Sequence, residues 1–261
     1  MVNKRLRYIL HSFLIGLIIY FYSTNINYLI IYTALLVFVV VVGNVIVNRE
    51  NSPSTSDNFY ISLLPLHLIF GSILTLYYFP NLSFLFKVIF VIGIAFLNYI
   101  ILLVNNIFLV VISREESIPL YRVALTWSKI VIIVLSIPLF AGIFKLPANT
   151  FIQSALTGVS AFLFCMYVIW SMKFESEAKK HGAGEAGYLS AVGAMCVTFA
   201  NMIVTFMPTE SFLRALFVSS VLMFIINYFY AHFKNAINRR LVTEHIAISL
   251  VFLLLLVLFK P

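Results

Sequence analysis

Charge is what this sequence has least of. Only 10% of its 261 residues are Asp, Glu, Lys or Arg, against about 25% in an ordinary soluble domain. Asp and Glu together number nine, and Asp57 is the only aspartate. A single aspartate leaves no Asp-rich site and removes most Mg²⁺-dependent phosphoryl and prenyl chemistry. The two cysteines, Cys165 and Cys196, lie in apolar stretches without a CxxC partner. A disulfide framework and a thiolate metal site are thereby excluded, and two buried free thiols are expected. HExxH, GxSxG and GxxxxGK[ST] do not occur either. No catalytic residue, metal ligand set or cofactor is expected on these grounds, and the chain leans away from being an enzyme.

What fills the space is apolar. The set AVILMFWYC makes up 62% of the chain, and the mean hydropathy is +1.06. A transmembrane helix needs about 20 apolar residues. Polar punctuation divides this chain into nine such runs, at 8–23, 28–47, 59–79, 84–112, 120–144, 151–172, 187–207, 211–231 and 243–259. The expected fold is an all-α integral membrane protein, a bundle of about nine transmembrane helices in a single domain over 1–261. The N-terminus, with Lys4, Arg5 and Arg7 before an apolar run, begins like a secretory leader. Tyr22-Ser23-Thr24-Asn25 offers no small-x-small cleavage site, so the run is expected to remain as the first span.

The formal net charge of +8 would suit nucleic acid if it were gathered on one soluble face. Here the cations sit in short connections, where they set orientation instead, and no nucleic-acid partner is expected. With the N-terminus placed in the cytoplasm, 13 of the 17 Lys and Arg residues fall on the inner side. Only Lys87, Lys145, Arg214 and Lys260 fall outside. The positive-inside rule therefore predicts a cytoplasmic N-terminus and an extracytoplasmic C-terminus in a bacterial-type cytoplasmic membrane. Three outer turns, 79–84, 146–151 and 207–212, share the pattern Pro-x-x-[Ser/Thr]-Phe. Proline would end the incoming helix and Ser or Thr would cap the outgoing one, which suggests an array of helical hairpins.

Polar groups at membrane depth are costly, so each is a candidate site. His67 lies near mid-span, close to Pro65, whose missing N–H frees a carbonyl that the imidazole could engage. Asn98, Asn105 and Asn106 share one helix face. Together with His67 they form a candidate polar path, or else a set of links between helices. Arg122, Thr126, Lys129 and Ser136 form a polar stripe on the fifth run, ahead of Pro138. Arg122 and Lys129, joined by Glu244 and His245 at the start of the last run, form a candidate inner-leaflet site for an anionic headgroup. Glu244 also has a plain structural role in reach, pairing with Arg240 one turn back. The Lys173–Glu185 connection, with its glycines, reads as a solvated charged loop. Small residues in the sixth and seventh runs (Ser154, Gly158, Ser190 and Ala194) predict close packing of those two helices.

Three functions fit this sequence. The first is a non-catalytic membrane component that binds lipid, anionic lipid included, or assembles with membrane protein partners. The second is a channel or facilitator for a small or amphipathic solute. The third is a lipid-modifying enzyme with an inner-face site. The arrangement of the polar residues separates them. Groups scattered over separate helix contacts favour the first, a continuous polar cavity the second, and an acid/base pair in an inner cleft the third.

Overall fold

The computed structural model describes residues 4–49, 54–114, 119–173, 175 and 182–259. Among these it contains nine α-helices and no strand: α1 (Lys4–Thr24), α2 (Leu29–Asn48), α3 (Thr55–Tyr78), α4 (Phe84–Arg114), α5 (Pro119–Lys145), α6 (Thr150–Met172), α7 (Ala183–Thr205), α8 (Ser211–Phe233) and α9 (Arg239–Leu258). A single 3-10 turn, Ile26–Tyr28, separates α1 from α2. All nine helices are long and apolar enough to cross a membrane. The described residues are thus all-helical, and their nine long apolar helices fit a multi-pass integral membrane protein.

The helices match the nine apolar runs, with one systematic difference. α1, α3, α7 and α9 each begin about one turn before the hydropathy does. Polar residues occupy these first turns because a helix start leaves unpaired N–H groups that side chains must satisfy. At α3 the Ser54 hydroxyl accepts from the Asp57 N–H, and the Asp57 carboxylate accepts from the Ser54 N–H, a reciprocal capping box. At α9 the Asn238 side chain accepts from the Leu241 N–H at 2.7 Å.

The turns at 146–151 and 207–212 keep their prolines beyond the incoming helices but do not use the expected caps. Asn149, not Thr150, caps α6 by accepting from the Ile152 N–H at 2.9 Å. Glu210 holds the cap position of α8 without a side-chain bond, and Ser211 is already helical. Asn149 is as good a cap as Ser or Thr, and one residue earlier it reaches the open N–H groups first. The shared pattern therefore does not encode one shared cap.

Two compact units make up the chain, Met1–Val131 and Ile132–Pro261. In the first, α1 packs on α2 and α4, α2 on α3, and α3 on α4. Tyr8, Val47 and Leu102 bring α1, α2 and α4 together, with Tyr99 and Leu103 against them. In the second unit, α6 packs on α7, α7 on α8 and α8 on α9. The α6/α7 contact is the tight one: a Cβ built on Gly158 would overlap the Thr198 hydroxyl. One turn away along the pair, Asn201 Nδ2 donates to Ser154 Oγ at 2.8 Å. Small residues at this seam let the backbones approach, as helices in lipid require. Of the two thiols, Cys165 is buried, whereas Cys196 is exposed. The expectation of two buried thiols fails for Cys196 because its side of α7, with Met195 and Phe199 beside it, faces outward.

Candidate functional site

The polar side chains at membrane depth are where this chain departs from a plain apolar bundle. In the first unit they begin with His11, 6% exposed and missed by the sequence analysis. His11 Nε2 lies 3.3 Å from the Val39 carbonyl on α2. A carbonyl only accepts, so Nε2 carries the proton. Nδ1 is then free to accept from Asn98 Nδ2 on α4, at 3.3 Å. Asn98 also donates to Ser12 Oγ on α1, at 3.0 Å. One imidazole in its neutral form thus ties three helices together. Gly43 makes this possible, since a Cβ there would overlap the His11 ring.

Pro65 has the expected effect through an unexpected partner. A proline cannot donate to the carbonyl four residues back, which leaves Ile61 O open. That carbonyl accepts from Asn105 Nδ2 on α4 at 2.8 Å. His67 Nδ1 donates instead to Leu63 O of its own helix, at 2.7 Å. The geometry decides between them. His67 reaches its own preceding turn, while Asn105 approaches from α4 into the gap the proline opens. Farther along, Asn44 Nδ2 on α2 donates to Ser62 Oγ on α3 at 3.2 Å. Asn98 and Asn105 therefore serve different neighbours, α1 and α3, and Asn106 on the next position is half-buried.

The second unit follows the same rule. Ser136 on α5 donates to Ser219 on α8 at 2.8 Å, and Ser220 on α8 donates to Ser249 on α9 at 3.2 Å. His245 Nδ1 donates to the Leu241 carbonyl at 2.9 Å, and its Nε2 accepts from Asn227 Nδ2 on α8 at 3.0 Å. Glu244 receives Arg240 Nε at 2.6 Å, the pairing expected from the sequence. The pair is exposed, so water screens it and it contributes little. Glu244 and His245 are thus each engaged elsewhere and not with one another.

Arg122 and Lys129 belong to the first unit, Glu244 and His245 to the second. On α5, Arg122 and Thr126 are exposed and Lys129 is half-buried, whereas Ser136 is fully buried. The stripe ends before Ser136 because that hydroxyl turns inward to Ser219. The helix runs unbroken through Pro138. Most of the Lys173–Glu185 connection, with Lys179, Lys180 and His181, lies outside the described residues.

One ion pair stands apart by its burial. Lys234 Nζ is 3.4 Å from Glu175 Oε1, with side chains 14% and 2% exposed. Lys234 is placed by the end of α8, where Asn235 takes a left-handed conformation (φ 50°). The Asn235 and Ala236 N–H groups then close onto the His232 and Ala231 carbonyls, the pattern of a Schellman ending with Asn in the usual glycine position. Lys234 also lies over the Tyr230 ring, 4.6 Å from its centroid. Desolvation works against the ammonium, but Tyr230 and Glu175 outweigh it and hold the group above the usual lysine range. A partly buried pair of this kind is costly to break from one side, because the remaining charge keeps its desolvation penalty.

No family model, no curated protein and no solved structure matches this chain.

Proposed function

We propose that this chain is a non-catalytic component of a membrane, one that binds lipid and assembles with other membrane proteins. One observation carries the reading. The intramembrane polar groups His11, Asn44, Asn98, Asn105, Asn201 and Asn227 each donate to or accept from a neighbouring helix within their own unit. Links of this kind hold helices together where lipid offers no hydrophobic drive for association. A facilitator needs such groups turned towards a shared path. The membrane would be of the bacterial cytoplasmic type, with the N-terminus inside. The imbalance of cations between the two sides supports that orientation. A C-terminal reporter fusion should then read extracytoplasmic, and a cytoplasmic signal would overturn the orientation.

The test of function pairs stability with flux. Asn98→Leu removes the donor to His11 and Ser12 and should cost about 0.6–1.7 kcal/mol, the range measured for intramembrane hydrogen bonds. Proteoliposomes carrying either form should pass small polyols and monovalent ions no faster than protein-free liposomes. A wild-type flux well above that background, lost in Asn98→Leu, would overturn the reading in favour of a facilitator.

A further inference from the structure

α1 and α4 run antiparallel. His11 meets Asn98 at one level, and Ser23 meets Lys87 near the other end. Along this seam, from the Ala95 level to Phe84 at the start of α4, lies an open hollow of about 380 Å³. Its floor is a close approach of small residues, since a Cβ on Gly16 would come 3.1 Å from the Ala95 methyl. Its walls are large and apolar, with Leu17 and Tyr20 from α1 and Phe84 and Ile92 from α4. From Phe84 to Ala95 the groove follows eleven helical steps, roughly 16 Å at 1.5 Å per residue. That is about one leaflet of a 30 Å hydrocarbon core. A concave slot of leaflet length with almost no polar lining has the shape of a single hydrocarbon chain.

A cation lies beside the slot, one turn from its Phe84 end. Lys87 sits in the first turn of α4, just past Tyr20 at the seam. Its Nζ donates to the Ser23 carbonyl at 3.4 Å. An ammonium has three donors, and neither α1 nor α4 contains a carboxylate to receive the others. The positive N-terminal end of α4 adds to the field at the same place. A phosphate ester at the membrane surface fits this position, with its hydrocarbon tail pointing down the groove.

We propose that the α1/α4 groove seats one acyl chain of an anionic glycerophospholipid, taken from the leaflet at the C-terminal end of α1, with Lys87 on its phosphate. This deepens the reading of a lipid-binding membrane component and rests on it. The test is native mass spectrometry of the full chain, delipidated and titrated with phosphatidylglycerol or with phosphatidylcholine of identical chains. The wild-type protein should retain phosphatidylglycerol preferentially. Lys87→Gln should lower that retention about fivefold or more, the factor expected for one lysine at an anionic headgroup, and should lower that of phosphatidylcholine less, because its choline cation already offsets the phosphate charge. Ile92→Trp, which fills the groove from an exposed position, should lower retention of both lipids. An unchanged preference in Lys87→Gln, or unchanged occupancy in a folded Ile92→Trp, would overturn the site while leaving the broader reading intact. Solute flux in the liposome assay would instead overturn the broader reading, so the two failures are distinguishable.

Discussion

Gly43→Ala should destabilise the purified chain by about 1–3 kcal/mol, the usual cost of forcing atoms into a packed core, whereas Gly93→Ala should be neutral or stabilising. The two substitutions add the same methyl group to the middle of an apolar helix. At Gly93 nothing lies within 4 Å of the new atom, so the gain in helix propensity, up to about 1 kcal/mol, is unopposed. At Gly43 the new atom would occupy the space of the His11 ring. Moving the ring lengthens its bond to Val39 and pulls Nδ1 away from Asn98, so three helices lose their common link. Thermal unfolding in detergent measures both effects. Equal midpoints would mean that the His11 ring has room to move aside and does not hold α1, α2 and α4 together.

Ala194→Phe should reduce the yield of folded protein far more than Ala34→Phe. Ala194 is 9% exposed and lies on the face of α7 that meets α6. One turn on, Thr198 presses against Gly158, and beyond it Asn201 reaches Ser154. A phenyl ring at Ala194 would separate the backbones and strain both contacts, since the seam depends on close approach rather than on apolar attraction. Ala34 on α2 is exposed, and a larger side chain there replaces lipid with protein of the same polarity. Monodisperse recovery by size-exclusion chromatography gives the comparison. Equal recovery of the two variants would mean that this face of α7 meets lipid.

The spans were legible in the sequence because hydropathy reports the bilayer directly, and a stretch such as 28–47 admits no other use. The helix starts were less so. Ser54 with Asp57, and Asn238 before Leu241, extend helices into polar sequence that hydropathy assigns to loops. The packing of α6 on α7 was also legible, since Gly158 and Ala194 are small where small residues have one common purpose in lipid. The polar links were legible only as half-sentences. Asn98 and Asn105 announced that α4 bonds to something, and Pro65 announced an open carbonyl. Nothing in the spacing said that Asn105 would take the carbonyl and His67 would not. That outcome depends on which helix lies across from α3, and periodicity along one helix fixes a face without naming the neighbour. His11 was invisible for the same reason, its partners lying 28 and 87 positions away.

That last separation bears on how the protein is made. Chains emerge N-terminal end first at about 5–20 residues per second. His11 is therefore synthesised roughly 4–17 seconds before Asn98. During that interval the His11 imidazole has the Val39 carbonyl within its reach only once α2 has followed, and Ser12 still waits for its amide. α1 is thus a span whose own sequence does not complete it, the least apolar of the nine at a mean hydropathy of 1.4. The hydrogen bonds of His11 and Ser12 to Asn98 are completed by a helix three spans downstream. The order of synthesis makes α4 the helix that completes the link between α1, α2 and α4.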